Sequence, residues 1–493
     1  MSALLLAGVR IVSAETTASE PVDVLVEDGR VARIGERLDT PAARRLELDG
    51  RFLMPGMWDQ HVHVGQWAAL ARRLDVSRAR SAAEAAALVR ARVDAGHPTD
   101  EVLVGYGFRD GLWPDAPSAQ LLAMGDVAVA LVSGDVHTVW SNEALLRRMG
   151  LPASDWWLGE QAAFDLNVRL SAVDEATLDR WVADAARAAA ARGVTGIVDF
   201  EMHGAVDAWP RRAAAGLRSL RVQAVVYPEG RDRVSALGLR TGDAIPGTDG
   251  LATVGPFKIF TDGALNSRTA WCVDPYPGQS GAHAHGLATY ADAELVELTR
   301  DVWANGWVPA IHAIGDRAVT QALDAFEALA IPADAPDRGR IEHAQLVLPA
   351  DVPRFAALGV RASIQPEHAM DDRDVADHHW AGRTGRAFPY RTLLDAGAEL
   401  VLGSDAPVAP LDPWATLAAA VTRSRDGREP WHPEQALSRA DALRASWGRV
   451  AGVQVGGLAD LAILDADPHT VASESLRTMP VHGTVAAGEP IGI

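Results

Sequence analysis

The sequence predicts an α/β fold: a (β/α)8 TIM barrel with a small β-sandwich built from both termini and an inserted subdomain after the first barrel strand. Two observations lead to this prediction. Short apolar runs alternate with Ala-rich helical stretches through the middle of the chain, which is typical of repeated β–α units. Histidine and aspartate residues also recur at the ends of these runs, and such barrels build their sites at the carboxyl ends of the strands.

The two termini resemble each other and differ from the middle of the chain. They carry short strand patterns, at Leu4–Val12, Val22–Val26, Arg30–Ile34, Asp460–Leu464 and Val481–Ala487. The turn Glu27-Asp28-Gly29 separates the second and third of these patterns as in a β-hairpin. We therefore expect residues 1–56 and 446–493 to form the two parts of one β-sandwich, and residues 57–445 to form the barrel.

Candidate barrel strands can be followed through the middle of the chain. The first ends at His61–His63, and the others are Val194–Phe200, Arg221–Tyr227, Phe257–Phe260, Val308–His312, Arg340–His343, Arg361–Gln365 and Leu400–Asp405. These make eight strands in all. About residues 66–190 lie between the first and second of these strands and belong to neither. Their strand-like runs Glu101–Tyr106 and Val127–Val132 indicate an inserted subdomain.

Composition excludes several classes of partner. The formal net charge of −19 argues against nucleic acid and anionic membranes, because phosphate binding needs clustered Lys and Arg. No apolar run reaches the roughly 18 residues of a membrane span. Cys272 is the single cysteine, which excludes an intrachain disulfide and fits a reducing, cytoplasmic location. We expect a small-molecule substrate, and a homodimer is possible.

The residues at the strand ends have the chemistry of metal ligands. Imidazole nitrogens and a carboxylate, the groups that bind a metal such as zinc, are offered by His61, His63, His312, His343 and Asp405. His61 and His63 are two apart on a strand, so their side chains point the same way. The alternatives are core histidines bonded to backbone carbonyls and an Asp405 that only caps a helix.

Lys258 lies on the fourth predicted strand and needs a separate explanation. A protonated ammonium has no lone pair for a metal. Lys258 is therefore either a counter-ion beside a single metal or a lysine carboxylated by CO2, whose carbamate bridges two metals.

The chemistry that follows is hydrolysis. Zinc lowers the pKa of bound water towards about 7, and the hydroxide attacks a carbonyl polarised by the metal or by a nearby imidazole. Asp405 acts as general base and passes the proton to the leaving amine. Asp405 is therefore a candidate catalytic residue, and His343 is the other one. Asp262 and Arg268 follow the Lys258 strand and Gln365 ends the seventh strand, which makes them candidate substrate contacts.

The chain resembles the amidohydrolase superfamily, and within it the amidohydrolase family 3 group that includes N-substituted formamide deformylases. The matching segments are 54–63 (MPGMWDQHVH), 258–270 (KIFTDGALNSRTA), 312–318 (HAIGDRA), 342–345 (EHAQ), 403–407 (GSDAP) and 457–465 (GLADLAILD). The resemblance implies a barrel, a flanking sandwich and one or two divalent metals, usually zinc. It implies the metal roles of His61, His63, Lys258, His312, His343 and Asp405.

The inserted subdomain also carries a segment similar to the family's Asp-Gly-His, here Gly134-Asp135-Val136-His137. Valine stands where glycine is usual. The resemblance makes His137 a candidate substrate contact, with a structural role as the alternative.

We therefore interpret the chain as a metal-dependent amidohydrolase that cleaves a non-peptide C–N bond, such as that of an N-formyl or N-acyl amide. A deaminase, a cyclic amidohydrolase, an esterase and a lactonase are alternatives on the same site. A non-catalytic binding protein on this fold is a remote alternative, because such proteins are expected to lose ligands.

Overall fold

A computed structural model describes residues 3–108, 110, 113–133, 138–202, 204–281, 283–332, 334–448 and 450–493. The strands are, in chain order, β1 (Leu4–Ile11), β2 (Val22–Glu27), β3 (Arg30–Gly35), β4 (Arg44–Glu47), β5 (Phe52–Pro55), β6 (Met57–Val62), β7 (Leu74–Asp75), β8 (Val102–Phe108), β9 (Ala128–Ser133), β10 (Thr138–Ser141), β11 (Trp157–Gly159), β12 (Val194–Asp199), β13 (Arg221–Val226), β14 (Ala252–Phe260), β15 (Pro309–Ala313), β16 (Arg340–His343), β17 (Arg361–Ile364), β18 (Leu400–Leu402), β19 (Leu461–Leu464), β20 (Val481–Ala486) and β21 (Glu489–Ile491).

The helices are α1 (Val64–Leu70), α2 (Ala82–Asp94), α3 (Glu143–Met149), α4 (Glu160–Ser171), α5 (Glu175–Ala190), α6 (Ala205–Ala214), α7 (Arg231–Ala236), α8 (Asp292–Ala304), α9 (Asp316–Leu329), α10 (Val352–Leu358), α11 (Pro366–Asp371), α12 (Arg373–His379), α13 (Tyr390–Asp395), α14 (Pro413–Thr422) and α15 (Arg439–Ser446). None of the described helices has the length and apolar character that crossing a bilayer requires.

The chain divides into two compact units, one of Met1–Val64 with Ala186–Ile493 and one of Gly65–Ala185. The smaller unit has its own sheet, in the order β11-β10-β9-β8-β7. Its core contains Leu103, Val129, Leu131 and Trp140, each fully buried.

The larger unit contains the barrel. Strands β6 and β12–β18 run parallel in sequence order, each hydrogen-bonded to the next. The two end strands meet through a parallel bridge between Val62 and Ala406, and the Asp405 N–H donates to the His61 carbonyl at 2.7 Å. The eight-stranded barrel predicted from the sequence is confirmed.

Strands from both termini form the other sheet of this unit, in the order β21-β20-β19-β5-β1-β2-β3, with β4 paired to β1. The β2–β3 hairpin turns at Asp28 and Gly29, both at positive φ (49° and 73°), as a tight hairpin turn requires. Apolar side chains of both terminal segments share one core, among them Leu6, Val24 and Ile463. The burial of this shared core explains why the two ends of the chain pair.

Close packing between the first two barrel strands makes one glycine necessary. Gly196 on β12 lies opposite Trp58 on β6, and a Cβ added to Gly196 would lie 2.1 Å from the indole. We predict that Gly196→Ala lowers the free energy of unfolding by roughly 1–3 kcal/mol, because the indole must move out of a packed core. Gly230→Ala is the matched control, since Gly230 has open space around it and a helical backbone. Denaturant unfolding of both variants measures the effect, and equal stability of the two would contradict the packing argument.

Candidate active site

The mouth of the barrel brings together the ligand candidates of the first and last strands. His61 lies on β6, His63 directly follows it, and Asp405 follows β18 in a left-handed backbone conformation (φ 57°). The Nε2 atoms of His61 and His63 lie 3.5 Å and 3.4 Å from the Asp405 Oδ1 atom. Ligands bonded at about 2.0–2.1 Å to a tetrahedral zinc ion lie roughly 3.3–3.4 Å apart, so these three atoms fit a divalent metal.

A buried charge network holds His61 in the form that a metal needs. The His61 Nδ1–H donates to the Glu342 carboxylate at 2.7 Å, which leaves the lone pair on Nε2, the atom that faces Asp405. Arg340 in turn donates to Glu342, to the Gln60 carbonyl and to the Ser363 hydroxyl. Burial alone would raise the pKa of Glu342, but Arg340 and then Lys258 lower it below its usual range.

Three imidazoles of the site, those of His61, His312 and His343, stay neutral because they are buried. Burial and the charge of Lys258 lower the pKa of His61 well below its usual value and that of His312 to about 3. Burial and the neighbouring His312 and His61 also lower the pKa of His343 well below its usual value. Neutral imidazoles offer lone pairs, whereas imidazolium ions offer none.

Asp405 stays ionised among these neutral rings. Burial alone would raise its pKa, but His61, His63 and His368 hold the pKa well below its usual range. The site therefore presents an ionised carboxylate together with the unprotonated nitrogens of His61, His312 and His343, a donor set that suits a cation.

His343 and His312 belong to the same cluster of rings, with their centroids 4.6 Å apart. The His343 Nδ1–H donates to the Gln365 side-chain oxygen at 2.9 Å. The His312 Nε2–H donates to the Gly263 carbonyl at 3.1 Å, and Nε2 lies 3.4 Å from Asp262 Oδ1. The second nitrogen of His312 thus remains for a ligand role.

Lys258 on β14 is fully buried beside aromatic rings. Its Nζ atom lies 4.7 Å from the centroid of Phe200 and 4.9 Å from that of Phe260. Burial lowers the pKa of Lys258 to about 8, although Glu342 and Asp405 raise it. A lowered pKa increases the fraction of neutral amine, the form that reacts with CO2; carboxylation itself stays a prediction.

The predicted substrate contacts occupy different environments. Gln365 is buried, and its amide also donates to the Ser363 carbonyl at 3.2 Å. The Asp262 carboxylate accepts from the backbone N–H groups of 271, 314 and 315 at 2.8–3.3 Å, and burial raises its pKa to about 7. Both residues therefore order the surroundings of His343 and His312. Arg268 lies exposed on the loop after β14, and His137 lies outside the described residues.

Three residues of this site escaped the sequence analysis. Glu342 positions His61, and Phe200 stacks on the His61 ring with centroids 3.8 Å apart. His368 lies on α11 and is buried, with its Nε2 atom 3.6 Å from Asp405 Oδ2. The sequence signal for His368 was its position three residues after Gln365, the predicted end of the seventh barrel strand.

The low pKa of His312 predicts acid sensitivity of the metal-free protein. Between pH 6.5 and about 3 the unfolded chain binds a proton at His312 that the folded chain does not, so stability falls as the pH falls. The contribution is at most about 1.4 kcal/mol per pH unit. We expect His312→Gln to show a shallower loss of stability from pH 6.5 to 4.5 in urea unfolding of chelated protein. Parallel profiles of variant and wild type would contradict this expectation.

Comparisons with known proteins place these features in a family. The model of the Amidohydrolase family, Amidohydro_3, matches residues 46–491. A putative amidohydrolase of Bacillus subtilis, YtcJ, is 27% identical over 513 residues, which cover 94% of this chain and 95% of the relative. An N-substituted formamide deformylase of Arthrobacter pascens is 27% identical over 530 residues, with 98% and 96% covered.

The fold agrees with a solved structure. An uncharacterized metal-dependent hydrolase of Pyrococcus horikoshii has a TM-score of 0.76 and 25% identity, with 96% of this chain and 99% of that chain covered. Because the family model spans nearly the whole chain, the protein belongs to the amidohydrolase family, and the prediction of a hydrolase acting on non-peptide C–N bonds is confirmed.

Proposed function

We propose that the protein hydrolyses the C–N bond of a small N-formyl or N-acyl amide, in a metal-dependent reaction with Asp405 as general base. The observation that carries the proposal is the ionised, buried Asp405 carboxylate, whose Oδ1 atom lies 3.5 Å and 3.4 Å from the Nε2 atoms of His61 and His63. The similarity to the formamide deformylase supports the acyl class.

A divalent metal, with zinc as our proposal, fits between His61, His63 and Asp405, and His343, His312 and Lys258 are the further candidate ligands. When bound, such a metal supplies a Lewis acid and lowers the pKa of water in its coordination sphere. The described residues supply the rest of the chemistry, which is the positioning of donors and the movement of one proton.

Asp405 is placed to move that proton. Its carboxylate accepts a proton from the attacking water as the water oxygen bonds to the carbonyl carbon. Asp405 then gives this proton to the nitrogen as the C–N bond breaks, so the products are a carboxylic acid and an amine. The pKa of Asp405 lies well below its usual range, so the carboxylate is ionised at neutral pH, as the first step requires.

His343 is proposed as a ligand as well as a catalytic residue. Its Nδ1–H is engaged by Gln365, so its other nitrogen presents a lone pair and no proton. This arrangement favours a role in binding the cation over direct donation of a hydrogen bond to the substrate carbonyl. Polarisation of the carbonyl would then fall to the cation.

Several finer features stay predictions. They are zinc as the metal, one or two ions per site, carboxylation of Lys258, a cytoplasmic location, a homodimer and the domain boundaries 1–56, 57–445 and 446–493. The substrate contacts His137, Asp262, Arg268 and Gln365 also stay predictions.

Glu342 provides a test of the metal proposal. We predict that Glu342→Gln weakens zinc binding roughly 10–100-fold, because the partner of His61 Nδ1 loses its charge while keeping its shape. Competition with a coloured chelator measures the affinity, and circular dichroism checks that Arg340, left without its ion pair, does not unfold the barrel. Wild-type affinity in a folded variant would contradict the positioning role.

Asp405 provides the test of the reaction. We predict that Asp405→Asn lowers kcat at least roughly 10²–10⁴-fold, because the amide cannot accept the proton. Amine release is measured from zinc-loaded protein on a panel of N-formyl, N-acetyl and N-carbamoyl compounds, with Asp39→Asn as an exposed control. Turnover that survives in Asp405→Asn would exclude Asp405 as the base. Absence of amine release by the wild type, with release of ammonia or ester cleavage instead, would overturn the substrate class.

A further inference from the structure

We propose that His368, together with His343 and Asp405, forms a second cation position next to the one at His61 and His63. This inference rests on the proposed metal dependence of the reaction. The ring nitrogens of His343 and His368 and an Asp405 oxygen lie within 4.8 Å of one another. His368 lies on α11, outside the set of residues that the strand ends predicted.

The two oxygens of Asp405 face different histidines. Oδ1 lies 3.5 Å and 3.4 Å from the Nε2 atoms of His61 and His63, whereas Oδ2 lies 3.6 Å from the Nε2 atom of His368. All three separations are close to the spacing of two ligands on one small cation. Asp405 can therefore contact two cations, one through each oxygen, and each oxygen keeps a second lone pair for the proposed proton transfer.

The His368 ring is buried, and its Nε2 atom, which would bind the cation, has no hydrogen bond to the described residues. Its Nε2 atom is inaccessible to solvent and has no hydrogen-bond partner within the part of the chain that the structure describes. Buried polar atoms without a partner are rare, and each calls for an explanation. The ring also stacks with that of His343, with an interplanar angle of 12° and centroids 5.9 Å apart. A cation between the His343, His368 and Asp405 side chains provides the missing partner.

Gln345 can set the required tautomer of His368. Its amide lies 3.3 Å from the His368 Nδ1 atom, and its side-chain oxygen has no hydrogen-bond partner among the described residues. Rotation of the amide brings this oxygen to Nδ1, where it accepts the N–H and leaves the lone pair on Nε2. The arrangement then matches that of Gln365 and His343, whose glutamine oxygen already accepts the Nδ1–H.

The rival arrangement places the second cation between His312, His343 and a carboxylated Lys258. The His312 Nε2–H donates to the Gly263 carbonyl, so the rival arrangement would use the other ring nitrogen of His312. The Lys258 Nζ atom faces two aromatic rings, and no carboxylate of the described residues lies within 4.0 Å of it. A second cation held by His368 needs no modified lysine, so it should bind in the absence of bicarbonate. This difference separates the two arrangements.

The test counts metal ions and does not depend on turnover. Chelated protein is reloaded with zinc in bicarbonate-free buffer, and bound zinc per chain is measured by mass spectrometry, with affinity from chelator competition. We expect two zinc ions per chain in the wild type and one in His368→Ala. The affinity of the second position should fall by more than roughly 10–100-fold, which is the cost of removing a residue that only hydrogen-bonds to a ligand. His378→Ala, an exposed histidine on the next helix, is the control and should bind two.

A second variant, His368→Gln, and the zinc site at His61 and His63 separate unfolding from the loss of a ligand. His368→Ala and His368→Gln should each retain one zinc ion with wild-type affinity and a wild-type circular dichroism spectrum. Two ions of wild-type affinity in His368→Ala would overturn the proposal. So would a single ion in the wild type, or a second ion that appears only with bicarbonate and is lost in His312→Ala. An inactive wild type that binds two ions would contradict the proposed function and leave this site standing.

Discussion

The chemistry of this barrel depends on one buried negative charge. The Asp405 side chain lies in the mouth of the barrel, and the polar atoms that face it are imidazole nitrogens of His61, His63 and His368. Removing a carboxylate from water is costly unless a positive charge compensates it. Arg340 is engaged with Glu342, and buried Lys258 acts on Asp405 only from a distance, since no carboxylate of the described residues lies within 4.0 Å of its Nζ atom. A cation bound directly between the Asp405 oxygens and the histidine nitrogens would provide the close partner that neither residue provides, which is why we interpret the cluster as a metal site.

A surrounding set of polar groups makes that charge usable. Glu342 takes the Nδ1–H of His61, and Gln365 takes that of His343. Each contact directs a lone pair from the other ring nitrogen into the mouth of the barrel. Asp262 accepts the backbone N–H groups of 314 and 315 and so fixes the backbone beside His312. The strand ends bring the ligands together, and Glu342 and Gln365 determine which ring nitrogen of His61 and His343 carries the proton.

Much of the fold could be predicted because its signals are local. Turn residues such as Asp28 and Gly29, and apolar strands that end in His61 or His343, are read from a few neighbouring positions. The roles of Glu342 and His368 depend on which strands and helices lie side by side, and the sequence spacing does not encode that. Gln365 stays a predicted substrate contact, and its second role, accepting the Nδ1–H of His343 on the neighbouring strand, could not be predicted from local sequence. Local patterns therefore located the candidate ligands, whereas tertiary packing determined what supports them.

The most direct measurement is anomalous diffraction at the zinc absorption edge from crystals of the zinc-loaded protein. If zinc binds at the proposed site, we expect a zinc peak about 2.0–2.2 Å from the Nε2 atoms of His61 and His63 and from an oxygen of Asp405. An ordered zinc ion elsewhere, with Asp405 bonded only to protein groups, would contradict it. Such a result would mean that the buried carboxylate is balanced by protonated histidines, and the proposed chemistry would fall with the metal site.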